Sequence, residues 1–218
     1  MILNDKQIYE AVQNNDIIIK PFDEKQIQGA TYDFRVGEQG ATTTTKKLVN
    51  IKENGYIIIS PGDFGVITVL EEIKLSLQFC GRFGLRSKYA RKGLLATTGP
   101  QIDPGYHGRL IIGVTNLTPK PITLSYKDDF VTLEFHRLEQ PSSKPYIGPF
   151  QNKLELGAEE IEFITESNGM ALSEVLTTLR SLSENVGALS KDVKNLKWIL
   201  PLIVGFGITI IAILVAIK

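Results

Sequence analysis

The sequence predicts a mostly-β barrel or jelly roll, followed by an α-helical coiled-coil stalk and one C-terminal transmembrane helix. Three observations carry this expectation. Up to about Gly157 the chain is a series of short β-rich runs closed off by Gly, Pro, Asn and Asp, the punctuation of closely spaced strands. From Leu172 to Leu196 apolar residues recur at alternating steps of three and four, the 3.5 period of helices that wind around a partner. From Trp198 to Ile217 there is no charged residue, and a run of that length forms about 30 Å of helix, the thickness of a bilayer core. A chain of 218 residues and 24.2 kDa accommodates one ordinary domain with appendages, not two full-sized domains.

Each element has its own signal. Asn4 precedes DKQIYEAVQ and suits the N-cap of a helix over Asp5–Asn14. Strands are expected at Ile57–Ile59, Phe64–Leu70, Leu110–Val114 and Phe130–Phe135, with a second short helical stretch at Ser87–Lys92. Gly40 to Lys47, with its four threonines, reads as a flexible hairpin tip. A connector over 158–170 carries Glu159, Glu160, Glu162 and Glu166 and a turn or helix start near Asn168. The stalk over 171–197 has Leu172, Val175, Leu179, Leu182, Val186, Leu189, Val193 and Leu196 on one seam. The span covers 198–218, with Trp198 as interface anchor, Pro201 in its first turns, and Gly205 and Gly207 on a smooth face. Lys191, Lys194 and Lys197 precede it, which under the positive-inside rule leaves the globular domain, residues 1–157, in the cytoplasm.

Composition excludes several function classes. Lys and Arg number 24, Asp and Glu 24, so no bulk charge favours nucleic acid. Cys80 alone rules out a disulfide framework, and two histidines, His107 and His136, supply no zinc cluster. The N-terminus MILNDKQIYE has no apolar core, so no signal peptide is expected.

The segments IIIKPFDEKQIQGATYDFRVG, ISPGDFGVITVLEEIKL, GLRSKYARKGL, IDPGYHGRL, TNLTPKPITL and KPYIGPFQNK stand in this order between Met1 and Lys153. Together they resemble the dCTP deaminase/dUTPase superfamily. The resemblance implies a distorted β jelly roll assembled as a homotrimer, with sites at subunit interfaces, and makes a three-stranded stalk the economical choice. It implies that Arg86, Ser87 and Arg91 bind the oxygens of a deoxynucleoside triphosphate. Those residue types suit the task, because a polyanion needs converging cations and hydroxyl or N–H donors, and Arg offers a planar fork. Lys88, where the family has a small residue, adds charge and bulk beside the phosphate. The resemblance further implies that Asp103 is the base activating a water against the α-phosphate, that Tyr106 stacks on the deoxyribose, that Asp33 supports the site, and that Gln151 contacts the base. Lys153 lies within reach of phosphate. Mg²⁺ enters bound through the triphosphate, with no metal ligand on the chain itself.

One departure bears on the reaction. Ten residues after Asp103, where the deaminases place their catalytic glutamate, stands Gly113, which cannot shuttle a proton to a leaving amine. Asn116 still matches, so the register is sound, and Glu134 lies on a later strand. The glycine-rich C-terminal lid of dUTPases is missing too. The expectation is a membrane-anchored protein that binds a deoxynucleoside triphosphate, with hydrolysis of dUTP or a related triphosphate to the monophosphate and pyrophosphate as its chemistry. Two alternatives stay open: a catalytically inactive sensor signalling to its membrane helices, and a true deaminase using a relocated acid/base.

Overall fold

Capping chemistry sets the first element of the computed structural model, which describes residues 1–166 and 172–216, without the side chains at 163, 166, 172–176, 198, 202, 203, 209 and 212–216. Helix α1 (Asp5–Gln13) starts where the Asn4 side chain accepts from the Gln7 N–H and the Gln7 side chain accepts from the Asn4 N–H, a reciprocal capping box. Strands β1 (Ile17–Lys20), β2 (Tyr32–Thr42) and β3 (Val49–Asn50) follow, then the one-turn helix α2 (Ile51–Asn54) and strands β4 (Tyr56–Ile59), β5 (Phe64–Leu75) and β6 (Phe79–Leu85). The short helix α3 (Ser87–Ala90) leads into β7 (Leu94–Ala96), β8 (Gln101–Ile102), β9 (His107–Asn116), β10 (Ile122–Ser125) and β11 (Asp129–Arg137). Helices α4 (Ala158–Glu166) and α5 (Leu172–Ala216) close the chain.

The strands form one sheet in the order β7-β9-β5-β2-β11-β6-β8, with β1 also on β5 and β3 also on β2, beside a small β10-β4 ribbon. This is the mostly-β architecture the punctuated runs predict. Strands β2 and β5 lie centrally and are buried along both faces for most of their length, so Phe64–Leu70 reads as a nearly continuous apolar run while the polar residues of β2 need partners. Ribbon strand β4 alternates exposed and buried instead, as expected with one face in water. Tyr32, Phe34, Tyr89, Phe130 and Phe135 fill the core, Tyr32 meeting Phe34 edge-on at 5.3 Å.

A buried ion pair sits where the central strands slip register. The β2–β5 pairing shifts between Val36 and Gly40, because at Gly37 the backbones come so close that a Cβ would lie 2.5 and 2.6 Å from the carbonyl oxygens of Val69 and Thr68. Beside this bulge the Glu71 carboxylate accepts from the Arg35 backbone N–H at 2.9 Å and from its Nε at 2.6 Å. Burial pushes the Glu71 carboxyl above the usual range, opposed by the Arg35 N–H and guanidinium.

Three expectations are corrected. The threonine run is not a loose tip: β2 extends to Thr42, and the Thr43 and Thr44 hydroxyls donate to the buried Asp63 at 3.0 and 2.6 Å. The connector 158–170 is largely helix α4, whose Ile164 packs fully buried with Ala41, Val66 and Leu156; the turn expected near Asn168 lies outside the described residues. The third correction concerns the C-terminal third.

Among the described residues no helix is long and apolar enough to cross a membrane, which overturns the single-pass anchor and with it the membrane partner and the cytoplasmic placement inferred from it. That expectation needed an unbroken apolar run over 198–218, and much of the run, including all side chains beyond 211, lies outside the described residues. Nor is a coiled coil shown. The expected stalk and span are one 45-residue helix running through Pro201, and its Leu182, Val186 and Leu189 are exposed. A 3.5 period fixes which residues share a face, not that a second helix covers it. The chain divides into two compact units, Met1–Ser173 and Glu174–Lys218.

Replacing Glu71 by Ala removes the close, fully buried partner of the Arg35 guanidinium, itself only 14% exposed, and leaves it the longer contact to the more exposed Asp23 at 3.6 Å; the expected cost is about 3 kcal/mol. Urea unfolding followed by tryptophan-independent far-UV dichroism checks this; a loss near zero would show that the bulge holds without the pair.

Candidate functional site

Between β8 and β9 the chain turns through Asp103-Pro104-Gly105-Tyr106, closed by the Tyr106 N–H on the Asp103 carbonyl at 3.2 Å. Gly105 takes a left-handed φ of 80°, which favours glycine, and its face lies against Pro145. The turn borders a cleft of about 120 Å³ lined by Phe83, Thr98, Asp103, Tyr106, Ile112 and Phe150 among others. Asp103 is half-buried and accepts from the Gln101 amide at 2.8 Å. Tyr106 is buried, and its hydroxyl donates to the Arg109 carbonyl at 2.9 Å. Burial pushes that phenol well above its ordinary range, so Tyr106 serves as a neutral flat wall.

A strap formed by residues 146–156 holds this turn. The Tyr146 N–H bonds the Pro104 carbonyl at 2.8 Å, and its ring meets Tyr106 edge-on at 5.4 Å. The Gln151 amide clasps the turn from both sides, donating to the Gly105 carbonyl and accepting from the His107 N–H, each at 3.0 Å. His107 stands between Glu72 at 2.6 Å and Asn152 at 2.7 Å. The Arg109 N–H then bonds the Lys153 carbonyl at 2.8 Å, and the Lys153 ammonium lies over the Phe150 ring and pairs with Glu160 of α4.

A basic corner forms at the other end of β6. Arg86 caps α3 and its Nη1 meets the fully buried Asp33 carboxylate at 2.7 Å. Burial raises the Asp33 carboxyl, while Thr132 and Arg86 hold it down. Ser87 and Arg91 are exposed on α3 and at its C-cap. The Lys88 ammonium turns away to Asp128 at 2.9 Å, lying 5.0 Å from the centre of the Tyr89 ring, so its bulk does not cover the α3 backbone.

The residues singled out from the sequence therefore fall into two sets. Asp103, Tyr106 and Gln151 meet at the cleft, and Arg86, Ser87, Arg91 and Asp33 meet at the corner. The sets do not meet within one chain. Gly81 pairs with Ile102 and Arg82 with Gln101, so Asp103 lies level with Cys80 near the start of β6 and Arg86 beyond its end; six residues of strand span about 20 Å.

Sequence reasoning missed the plug beside Gly113. A Cβ there would lie 2.6 Å from the Thr97 hydroxyl and 3.1 Å from that of Thr98, and the Gly113 N–H donates to the Thr98 hydroxyl at 2.6 Å. The adjacent threonines of LLATTGP were the available signal. Glu134 lies exposed on β11, opposite Arg82. Tyr146, Gln101 and His107 were also missed as members of the site.

Comparison with known proteins places this geometry. The family described as dCTP deaminase-like matches residues 2–138. A dCTP deaminase of Thermococcus sibiricus is 38% identical over 72% of this chain and 95% of its own length. A dCTP deaminase, dUMP-forming, of Methanothermobacter thermautotrophicus is 29% identical over 72% of this chain and 89% of its own. Among solved structures, the 2'-deoxycytidine 5'-triphosphate deaminase of Agrobacterium tumefaciens superposes with a TM-score of 0.53 at 16% identity, over 62% of this chain; the match spans 48% of that chain, and it speaks to the fold alone.

Arg86→Ala is expected to lower stability by about 1–3 kcal/mol, since it leaves a buried acceptor without its donor. Arg91→Ala, on an exposed side chain, should leave it unchanged. Thermal melts of the two variants decide; equal midpoints would mean that Arg86 does not neutralise Asp33.

Proposed function

The chain belongs to the dCTP deaminase-like family, and we propose that it binds a deoxynucleoside triphosphate without deaminating it. The observation that carries this reading is Gly113 with the Thr98 hydroxyl seated on its N–H. Deamination at C4 of cytosine requires a group that passes a proton from the attacking water to the leaving amine. The position expected to supply it has no side chain, and the space a side chain would enter holds two threonine hydroxyls.

Retention of the two binding sets supports nucleotide binding. Tyr106 offers a buried wall for the sugar, and Arg86, Ser87 and Arg91, carried on or beside one short helix, are donors of the kinds suited to phosphate oxygens. Since about 20 Å of β6 separates the sets, a ligand of nucleotide size needs the corner of one copy and the cleft of another, which supports the homotrimer. Mg²⁺ would enter with the ligand, as the counter-ion of its triphosphate.

One observation favours a second reading, hydrolysis of the bound triphosphate. Asp103 borders the cleft with its carboxylate steadied by Gln101, the setting of a general base. It would take a proton from water as the oxygen attacks the α-phosphorus, breaking the bond to the bridging oxygen and releasing pyrophosphate.

Incubation of the full chain with dCTP and Mg²⁺ should yield no dUTP or dUMP, and Gly113→Glu should not restore deamination while Thr97 and Thr98 remain. Formation of either product in an Asp103-dependent manner would overturn the reading. Arg91→Ala should weaken deoxynucleoside triphosphate binding about tenfold, the worth of one charged hydrogen bond, as measured by calorimetry. Sedimentation of the full chain should show a trimer; a monomer would leave the two sets unable to share a ligand.

A further inference from the structure

The strap carries a cation that the two binding sets do not include. Lys153 follows Phe150, which lines the cleft, and its ammonium lies 5.4 Å from the centre of that ring. Its backbone is fixed from both sides, by the Arg109 N–H on its carbonyl at 2.8 Å and by a bridge to Gly108. Gly108 takes a φ of 154° and approaches the Lys153 carbonyl so closely that a Cβ would lie 2.7 Å from it. The backbone of Lys153 is thus fixed beside the cleft, and only its side chain can change partner.

That head is held by a carboxylate of the same chain. Glu160, on the first turn of α4, takes the Lys153 ammonium on Oε1 and the Gly157 N–H on Oε2 at 2.8 Å. Both side chains are largely buried, at 20% and 13% exposure. The same helix is tied to the barrel through Ile164, Leu156, Ala41 and Val66, and the Leu156 N–H bonds the Gln39 side chain at 2.8 Å. One residue, Glu160, therefore links the cation that lies over the cleft-lining Phe150 ring to the start of α4.

We propose that Lys153 is a polyphosphate-binding side chain for which Glu160 is the resident substitute anion, so that ligand entry exchanges one partner for the other and loosens the first turn of α4. This rests on the nucleotide-binding reading of the cleft. A triphosphate carries several charges against the single charge of Glu160, and an ammonium at the end of a flexible four-carbon stem can turn between the two without moving the strap. The internal pair lowers the apparent affinity, because the ligand must displace it.

Calorimetric titration of the full-length wild type, Glu160→Gln and Lys153→Gln with dUTP and with inorganic tripolyphosphate tests this. Glu160→Gln keeps an oxygen for the Gly157 N–H while removing the competing charge, so it should bind both ligands about fivefold more tightly, the worth of one partly buried ion pair. Lys153→Gln should bind both more weakly than wild type. Hydrogen exchange should show amides 158–161 becoming less protected when dUTP binds the wild type, and already less protected in ligand-free Glu160→Gln. Wild-type and variant proteins binding dUTP equally, with α4 protection unmoved, would overturn the exchange and leave the nucleotide reading intact. Binding of tripolyphosphate but of no deoxynucleotide would overturn the nucleotide reading and leave the exchange supported; binding of neither would overturn both.

Discussion

Two neighbouring carboxylates on β5 organise everything around the site. Successive residues of a strand point to opposite faces, and Glu71 and Glu72 use both. Glu71 turns inward to clamp the backbone and guanidinium of Arg35 on β2, fixing the strand that presents Asp33 to Arg86 two residues earlier. Glu72 turns the other way and holds the His107 ring, the first residue of β9 after the Asp103–Tyr106 turn. The basic corner and the cleft, far apart along β6, thus take their positions from adjacent residues of one central strand. A buried ion pair is weak evidence for stability in itself; its weight here is that it locks a bulge where Gly37 permits backbone contact that no other residue allows.

The cations around the site show a common pattern of internal neutralisation. Arg35 has Glu71, Arg86 has Asp33, Lys88 has Asp128 and Lys153 has Glu160. A formal charge of zero therefore does not mean a site without cations. These four cations come already paired, with partners that differ in burial. Asp33 and Glu71 are fully buried and hold their partners as part of the core. Asp128 is 40% exposed, where screening leaves a pair little net worth.

Much of this was legible in the chain. Asn4 and Gln7 announced the capped helix, and the runs at Ile57, Phe64, Leu110 and Phe130 all became strands. The turn IDPGYHG and the element GLRSKYARKGL pointed to the cleft and the corner. Other features depended on contacts between distant residues. The threonines of 42–45 looked flexible because their partner, Asp63, lies some twenty positions away. Gln151 was expected at a base; within the chain its amide clasps the turn backbone, a contact no local pattern encodes. The apolar period from Leu172 and the uncharged run from Trp198 were real patterns, yet a pattern on one helix does not name what covers it.

The stretch of β6 between the Asp103 turn and the Arg86 corner has a genetic consequence. If each ligand is shared between copies, damage to one half spares the other half for a neighbour. A copy defective only in its corner and a copy defective only in its cleft can then assemble so that one junction between them joins two sound halves. Two alleles, each inactive alone, would complement when expressed together, whereas two lesions within the same half would not.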